Sequence, residues 1–544
     1  MQQRVSTAHR IRARHTTKLA GFKAGLCCRL PSIGECGVAL LAASALVLSF
    51  PDFDLSLLAW ISLVPLLVLV ARRPAPWPAF FLGWLFGSVF FYGSCYWLTY
   101  SIIHFGGIAP LLAFVMLIPG AVILGLFPAT FAMVLARLIR QWGSGALLFA
   151  PIAWSALEWA RLGTTGQLWN AIGYSQAYRP TLIQAASLGG VYVVGFLIVS
   201  ANAAIAFFLV RRRNRAFAIS GTLLLLVLAV IVLSYKKSAG EYHTLKKQAG
   251  AVVVAIQPNV PMDLIKSTED MAKLNARHFE MSDAALRSLP NDGTPRLLIW
   301  PESPMNFTYG TDTTLRDKLK LFAKLYQTSI LLNSQEVAPN EGLYNSAMLI
   351  NQEGGLVSQY DKIRLLPFGE YVPLPQWLPG AGLIRGIVGD FTAGTSYGLM
   401  TVGNVRVGVF ICIESAYPHI ARRFAHDGAD VLINISNDGY LGPTAVMRQH
   451  LSNAVFRAVE NNRPVLRVTN TGITALIPPS GEVRDATQPF RQEVRVWRIA
   501  PANTPASFYA AYGDLFVAAC SVLSLLVFLW SFKKRRKEPI RATA

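Results

Sequence analysis

The sequence predicts a membrane protein: eight transmembrane helices, with an α/β domain inserted between the seventh and the eighth. Three observations carry this. Hydrophobic residues make up 53% of the 544 positions and charged ones only 15%, whereas soluble domains carry about 25% charged residues. Apolar stretches recur at 37–50, 56–71, 78–101, 109–136, 145–160, 184–210 and 217–234, and once more at 513–532. Between the last two lies a long polar region where short β-branched runs alternate with helix-like periodicity, the pattern of an α/β fold.

Residues 1–36 are basic and poor in carboxylates, with Arg4, Arg10, Arg12, Arg14, Lys18, Lys23 and Arg29. They read as a cytoplasmic tail, a transit peptide being the other reading of that composition. A spanning helix needs about 20 apolar residues, so the first, second and fifth stretches are short. The connecting charges set the count. Arg72 and Arg73 follow the second stretch, Arg137 and Arg140 the fourth, and Arg211, Arg212, Arg213 and Arg215 the sixth. Lys533, Lys534, Arg535, Arg536 and Lys537 follow the eighth and open a second basic tail, 533–544. The positive-inside rule turns this alternation into eight spans with both termini cytoplasmic. Lys236 and Lys237 break it, but they open a large domain, where the rule is weak. The polar region, 240–505, then lies outside the cytoplasm. In a Gram-negative bacterium it is periplasmic, and the spans, seven of them within 37–234, sit in the inner membrane.

The net charge of +20 reads as membrane orientation, since no nucleic-acid-binding motif accompanies it. Five of the six cysteines (Cys27, Cys28, Cys36, Cys95, Cys520) fall in the basic segment or in apolar runs. Cys412 has no disulfide partner in the polar region, and no Cys/His spacing suggests a metal or cofactor site.

Within that region strands are predicted at 251–257, 297–300, 329–333, 346–351, 405–411, 431–435, 464–468, 474–477 and 494–498. Helices are predicted at 271–288, 315–327, 418–427 and 444–461. The Gly- and Pro-rich segment 367–398 reads as a long functional loop. Its Phe368, Tyr371, Trp377, Leu378, Leu383, Ile384 and Ile387 argue for contact with something apolar.

The run 405–414, Val-Arg-Val-Gly-Val-Phe-Ile-Cys-Ile-Glu, organises the chemistry. It reads as a buried strand ending on Cys412, with Glu414 on the same face of an extended chain. The run 296–302 leads through Trp300-Pro301 into Glu302, and 358–362 ends on Lys362. A carboxylate, an ammonium and a thiol at strand ends are the parts of a thiol acyl-transfer site. A lysine there would donate to the oxyanion of a tetrahedral intermediate.

Plainer readings stand beside each. Cys412 also reads as a buried structural cysteine, Glu302 as a turn carboxylate, and Lys362 as solvated or paired with Asp361. Glu370 either positions Lys362 or sits exposed on its loop. Glu414 either bonds across the site or caps the helix near Pro418. Ser303 and Ser415 lack a Gly-x-Ser-x-Gly context. His450 reads as a polar-network residue, and Asn434, Asn437 and Asp438 either line the site or serve a turn. Glu158 and Arg161, in or near the fifth stretch, read as a functional or an interfacial pair.

Trp-Pro-Glu at 300–302, Tyr-Asp-Lys at 360–362, Pro-Phe-Gly-Glu-Tyr-Val-Pro at 367–373 and Ile-Cys-Ile-Glu at 411–414 together resemble the carbon–nitrogen hydrolase (nitrilase) superfamily. The multi-span N-terminal part, Ile-Gly-Tyr-Ser-Gln at 172–176, Ile-Ser-Asn-Asp at 435–438 and Thr-Asn-Thr-Gly-Ile-Thr-Ala at 469–475 narrow the resemblance. They point to the membrane-bound apolipoprotein N-acyltransferase family, and the similarity runs from about residue 35 to the last apolar stretch. The resemblance implies a nitrilase-like αββα sandwich. It implies Glu302 as general base, Lys362 as oxyanion stabiliser and Cys412 as nucleophile, with Glu370 and Glu414 as supporting carboxylates. It also implies a phospholipid acyl donor, diacylglyceryl apolipoproteins as acceptors, and ping-pong transfer through a thioester that completes lipoprotein maturation. Two departures bear on substrate preference or rate. Ile413 stands where the family commonly has Tyr, and 257–268 lacks the family's early Trp.

Two other functions compete. A membrane-tethered nitrilase-like amidase would pass the same thioester to water, though eight spans exceed what a tether needs. A transporter or scaffold with an inactive domain would have no chemical need for all three reactive residues.

Overall fold

A computed structural model of the chain describes residues 30–166, 168–242, 250–262, 267–339, 342–367, 369–372 and 391–533. Most of both basic tails, Phe368, and residues 373–390 with Trp377, Leu378, Leu383, Ile384 and Ile387 lie outside the described residues.

The apolar stretches form helices. They are α1 (Ile33–Leu48), α2 (Val64–Arg72), α3 (Pro76–Ser94), α4 (Leu98–His104), α5 (Pro110–Leu124), α6 (Leu126–Trp142), α7 (Ala150–Thr165), α8 (Val191–Arg211) and α9 (Asn214–Tyr242). Local signals set several of their starts. Ser32 and Glu35 form a capping box on α1, and proline opens α3, α5 and α7, where its missing N–H costs nothing. Among the described residues, three helical stretches are long and apolar enough to cross a membrane: Pro110–Trp142, Val191–Arg211 and Asn214–Lys236. The pair α3 and α4, bent by 54°, makes a fourth if it counts as one span. Shorter apolar helices are Ile33–Leu48, Ser56–Arg72 and Leu515–Trp530. Leu224, Leu225, Leu226 and Leu228 on α9 stand exposed, an apolar face too large for water and suited to lipid.

The polar region folds around two sheets. One has the order β11-β1-β2-β3-β4-β5 and the other β10-β9-β8-β7-β6. The strands are β1 (Ala251–Gln257), β2 (Arg296–Ile299), β3 (Thr328–Val337), β4 (Leu343–Ile350), β5 (Leu356–Asp361), β6 (Met400–Val402), β7 (Val405–Ile411), β8 (Val431–Ser436), β9 (Val465–Thr469), β10 (Ala475–Ile477) and β11 (Glu493–Ile499). Strand alternation divides the first sheet. Val254, Ile256, Leu298, Ile330 and Leu332 pack in one core beneath α10 (Thr268–Arg287) and α11 (Thr313–Tyr326). Val253, Ala255, Leu297, Ile299 and Leu331 join the core shared with the second sheet. Helices α12 (Pro418–His426) and α13 (Val446–Asn461) pack on β7 and β9 of that second sheet. Gly408 permits this closeness, because a Cβ there would lie 2.5 Å from the Phe424 Cβ. The layers therefore run helix, sheet, sheet, helix. The last helix, α14 (Leu515–Trp530), follows β11 and exposes Leu523, Leu525, Leu526 and Leu529.

All nine expected strands and four expected helices of the polar region are present. Of the remaining two, β5 reads in the sequence only as the strand-like stretch ending on Lys362, and β6 is not expected from it. Both are sheet edges, where half-exposed polar side chains blur the apolar alternation. Glu158 and Arg161 are buried on α7 and each bonds to loop backbone. Glu158 accepts from the Ile172 N–H at 2.8 Å, and Arg161 donates to the Trp169 carbonyl at 2.8 Å.

Candidate active site

Three strand ends converge. After β2, Trp300-Pro301 turns the chain and sends Glu302 off the sheet, while Trp300 is fully buried and donates to Ser282 at 3.0 Å. After β5, the backbone of Lys362 is held by its N–H on the Asn345 carbonyl at 2.8 Å. After β7, Cys412 opens a 3-10 turn, Cys412–Ala416, with a left-handed φ of 52°.

The Lys362 side chain is 1% exposed, with Nζ 2.9 Å from Glu370 Oε1 and 3.5 Å from Glu302 Oε1. Asn345 bridges the same two carboxylates, Nδ2 donating to Glu302 Oε1 at 2.9 Å and to Glu370 Oε1 at 2.7 Å. The remaining oxygens are also held, Glu302 Oε2 by the Asn437 N–H at 3.1 Å and Glu370 Oε2 by the Leu366 N–H at 2.7 Å. Burial alone would favour a neutral lysine, but Glu370 and Glu302 outweigh it and hold the ammonium well above its usual pKa. The Cys412 thiol is pushed up by burial and by the Glu302 carboxylate, with Lys362 opposing. The thiol therefore rests protonated at neutral pH, and an attacking sulfur needs a base to take its proton.

The extended-chain reading of Glu414 is corrected. The 3-10 turn folds its carboxylate back, and it neither shares a strand face with Cys412 nor caps α12, whose N-cap is Tyr417. It accepts from the N–H groups of Ile411, Ile363 and Arg364 at 2.7, 2.8 and 3.0 Å, and from the Tyr360 hydroxyl at 2.9 Å. Glu414 thus ties the turn carrying Cys412 to the segment carrying Lys362. Burial pushes its pKa from 4.5 up to about 7, against the lowering effect of those N–H groups. A raised carboxyl stabilises the fold below its unfolded pKa, and that contribution is lost as pH rises through the folded one. About 3 kcal/mol should disappear between pH ~4.5 and ~7. Thermal unfolding across that window should show the slope in the wild type, where the buried Glu460, also pushed up to about 7, adds to it, and a clearly shallower slope in Glu414→Gln.

Asn345 carried no sequence signal, being one polar residue inside a strand. Its Oδ1 accepts from Asn333 at 2.7 Å, which fixes the amide so that both its donors face the carboxylates. Asn345→Leu should slow turnover about 10–100-fold by unpairing buried acceptors worth 1–3 kcal/mol, read as single-turnover acylation of Cys412. Ser303 serves its own turn, accepting weakly from the Met305 N–H at 3.4 Å. Asn434 and His450 lie on the carbonyl side of Cys412, and Asp438 holds His450. Among the described residues no group of three or more His, Cys, Asp or Glu is arranged to hold a metal ion.

Residues 42–204 match the apolipoprotein N-acyltransferase N-terminal domain, and residues 253–505 match carbon–nitrogen hydrolase. The apolipoprotein N-acyltransferase of Geobacter metallireducens is 32% identical over 506 residues, covering 92% of this chain and 95% of that protein. That of Azotobacter vinelandii is 31% identical over 520 residues, covering 92% and 95%. That of Pseudomonas putida is 32% identical over 474 residues, covering 85% and 90%. The polar region has the nitrilase-like carbon–nitrogen hydrolase fold. With both halves matched and relatives aligned along almost their whole length, the chain belongs to the apolipoprotein N-acyltransferase family.

Proposed function

We propose that this enzyme moves an acyl chain from a membrane phospholipid, through a thioester on Cys412, to the α-amine of the diacylglyceryl-cysteine at a lipoprotein's N-terminus. The observation that carries the reading is the buried Lys362 ammonium held between Glu302 and Glu370, beside a thiol that needs a base. Glu302 takes the Cys412 proton as sulfur attacks the ester carbonyl. Lys362 donates to the oxyanion, with Glu370 and Asn345 fixing its direction. The intermediate collapses to the thioester, and the proton on Glu302 goes to the departing alkoxide, which leaves as a lysophospholipid. In the second half the amine attacks the thioester, Glu302 accepts the amine proton, and the expelled thiolate is reprotonated. No water or cofactor enters either half.

The same reading covers topology. Residues 37–234 supply seven spans and 513–532 the eighth, and 240–505 form a periplasmic catalytic domain on the inner membrane. The tails 1–36 and 533–544 are cytoplasmic. The alternating basic clusters, the apolar helices and the lipid-suited faces of α9 and α14 support this. Segment 367–398 would meet the acyl chains.

Intact-protein mass spectrometry after incubation with phospholipid vesicles tests the proposal. An acyl-sized mass gain that hydroxylamine removes and Cys412→Ala abolishes is the expected result, followed by discharge onto a diacylglyceryl peptide amine. Free fatty acid with no acylated peptide would replace this reading with the hydrolase.

A further inference from the structure

Three consecutive residues of α13 join the membrane-side loops to the nucleophile. Arg448 forms an ion pair with Asp54, and its carbonyl accepts from Tyr178 at 2.7 Å. Gln449 uses its whole amide. Oε1 accepts from Trp97 and Trp169, and Nε2 donates to the carbonyls of Pro51 and Ser94, all at 3.0 Å. With every polar atom of a buried side chain satisfied by segments from the N-terminal half, the register of α13 against those loops is tightly determined.

The next residue, His450, turns towards Cys412. Its Nε2 lies 3.0 Å from the Cys412 carbonyl and its Nδ1 lies 2.8 Å from Asp438 Oδ1. The ring is 4% exposed and packs beside Trp169 at a centroid distance of 5.6 Å. Arg467 braces the far side, donating to Asp438 Oδ2 at 2.7 Å and to Asn434 Oδ1 at 2.5 Å. Asn434 in turn gives the Cys412 carbonyl a longer contact of 3.4 Å. This support falls on a residue whose left-handed φ of 52° is costly for any side chain larger than glycine. Burial and Arg467 lower the ring's pKa and Asp438 counters them. The imidazolium form satisfies both acceptors; the neutral ring has one N–H to give, and the Nε2–H tautomer is the one that serves the Cys412 carbonyl.

We propose that His450 is a positioning residue for the transfer: its Nε2–H, donated to the Cys412 carbonyl, holds the nucleophile's backbone in the left-handed turn that presents the thiol to Glu302. It touches no substrate and moves no proton. The inference rests on Cys412 as the nucleophile, but on no particular acyl donor.

Two amide replacements separate this role from packing. In His450→Gln the amide nitrogen falls where Nε2 stood and still reaches the carbonyl. In His450→Asn it falls where Nδ1 stood, keeping Asp438 and losing the carbonyl. The readout is the rate at which iodoacetamide alkylates Cys412 in the detergent-solubilised full chain at neutral pH, followed on the Cys412 peptide. Thermal unfolding is run alongside. The Gln variant should react within about 3-fold of wild type and the Asn variant about 10–100-fold slower, the size of effect that a displacement near 1 Å produces. Equal slowing of both, or an Asn variant as fast as wild type, would overturn the assignment. Alkylation needs no acyl donor. A wild-type protein that alkylates normally yet gains no acyl mass from phospholipid vesicles therefore removes the donor reading and leaves this one standing.

Discussion

Lys362→Met should abolish measurable acyl transfer. Losing a single preorganised oxyanion donor costs about 10²–10³ in rate, and here the loss goes further. Glu370 and Glu302 both point at the lysine, at 2.9 and 3.5 Å. Without it the buried Glu370 carboxylate meets the partly open Glu302 across Asn345, and breaking a buried pair costs about 3–5 kcal/mol. The variant should therefore show a lower unfolding temperature as well as no thioester in single-turnover mass spectrometry. Lys362→Arg should not rescue it, because the guanidinium fork aims its donors differently from an ammonium and, at a side chain only 1% exposed, cannot turn out to solvent. Adding Glu370→Gln to Lys362→Met separates the two effects. The unfolding temperature should recover in part and the rate should not. A single variant acylating within 10-fold of wild type would remove Lys362 from the mechanism.

Glu302→Gln should lower the rate of thioester formation by about 10²–10⁴, the usual contribution of a general base. The fold should survive, since the Glu302 side chain is partly open and a Gln oxygen keeps one of its two contacts, from the Asn437 N–H or from Asn345. The pH dependence gives the sharper test. Burial and Glu302 push the Cys412 thiol above its ordinary 9.0. With the base removed, reaction must go through the small thiolate fraction, which grows about tenfold per pH unit below the thiol's pKa. The residual rate in Glu302→Gln should climb steadily across neutral pH. In the wild type, where the base is present, the neutral-to-alkaline rate should be much flatter. Parallel profiles would mean that Glu302 does not act on the thiol proton.

Much of the frame is legible one residue at a time. The 405–411 run is β7 as expected, and 251–257 is β1, because strands buried throughout, or in β7 at all but Arg406, are near-continuous apolar runs that need no partner to be read. Cys412, Glu302 and Lys362 stand at strand ends in the sequence and in the fold, since a strand end is a local event. Legibility fails where an interaction is not local. Glu414 looked like part of an extended chain because Ile-Cys-Ile-Glu is all strand-forming. Three N–H donors from two separate segments pull it into a turn. Asn345 is unremarkable on β4 until the sheet register sets Ser346 opposite Asp361 and so brings the Lys362 segment beside it. Gln449 looks like an ordinary helical polar residue until loops some 280 to 400 positions away close on it, and His450 until Asp438 and Cys412, 12 and 38 positions away, meet its ring.

Sequence by itself determined the apolar helices, nine strands and four helices of the polar region in their order, and which three reactive side chains end strands. Composition, periodicity and charge placement act within a few residues, and one chain carries them in full. Tertiary structure alone decided which carboxylates share Lys362, which direction Glu414 faces, and what lies behind the Cys412 carbonyl. It also decided the protonation of the site. A thiol pushed up and an ammonium held charged follow from burial and from neighbours 8 to 110 positions distant in sequence. Such a field exists only after two sheets have stacked and excluded water.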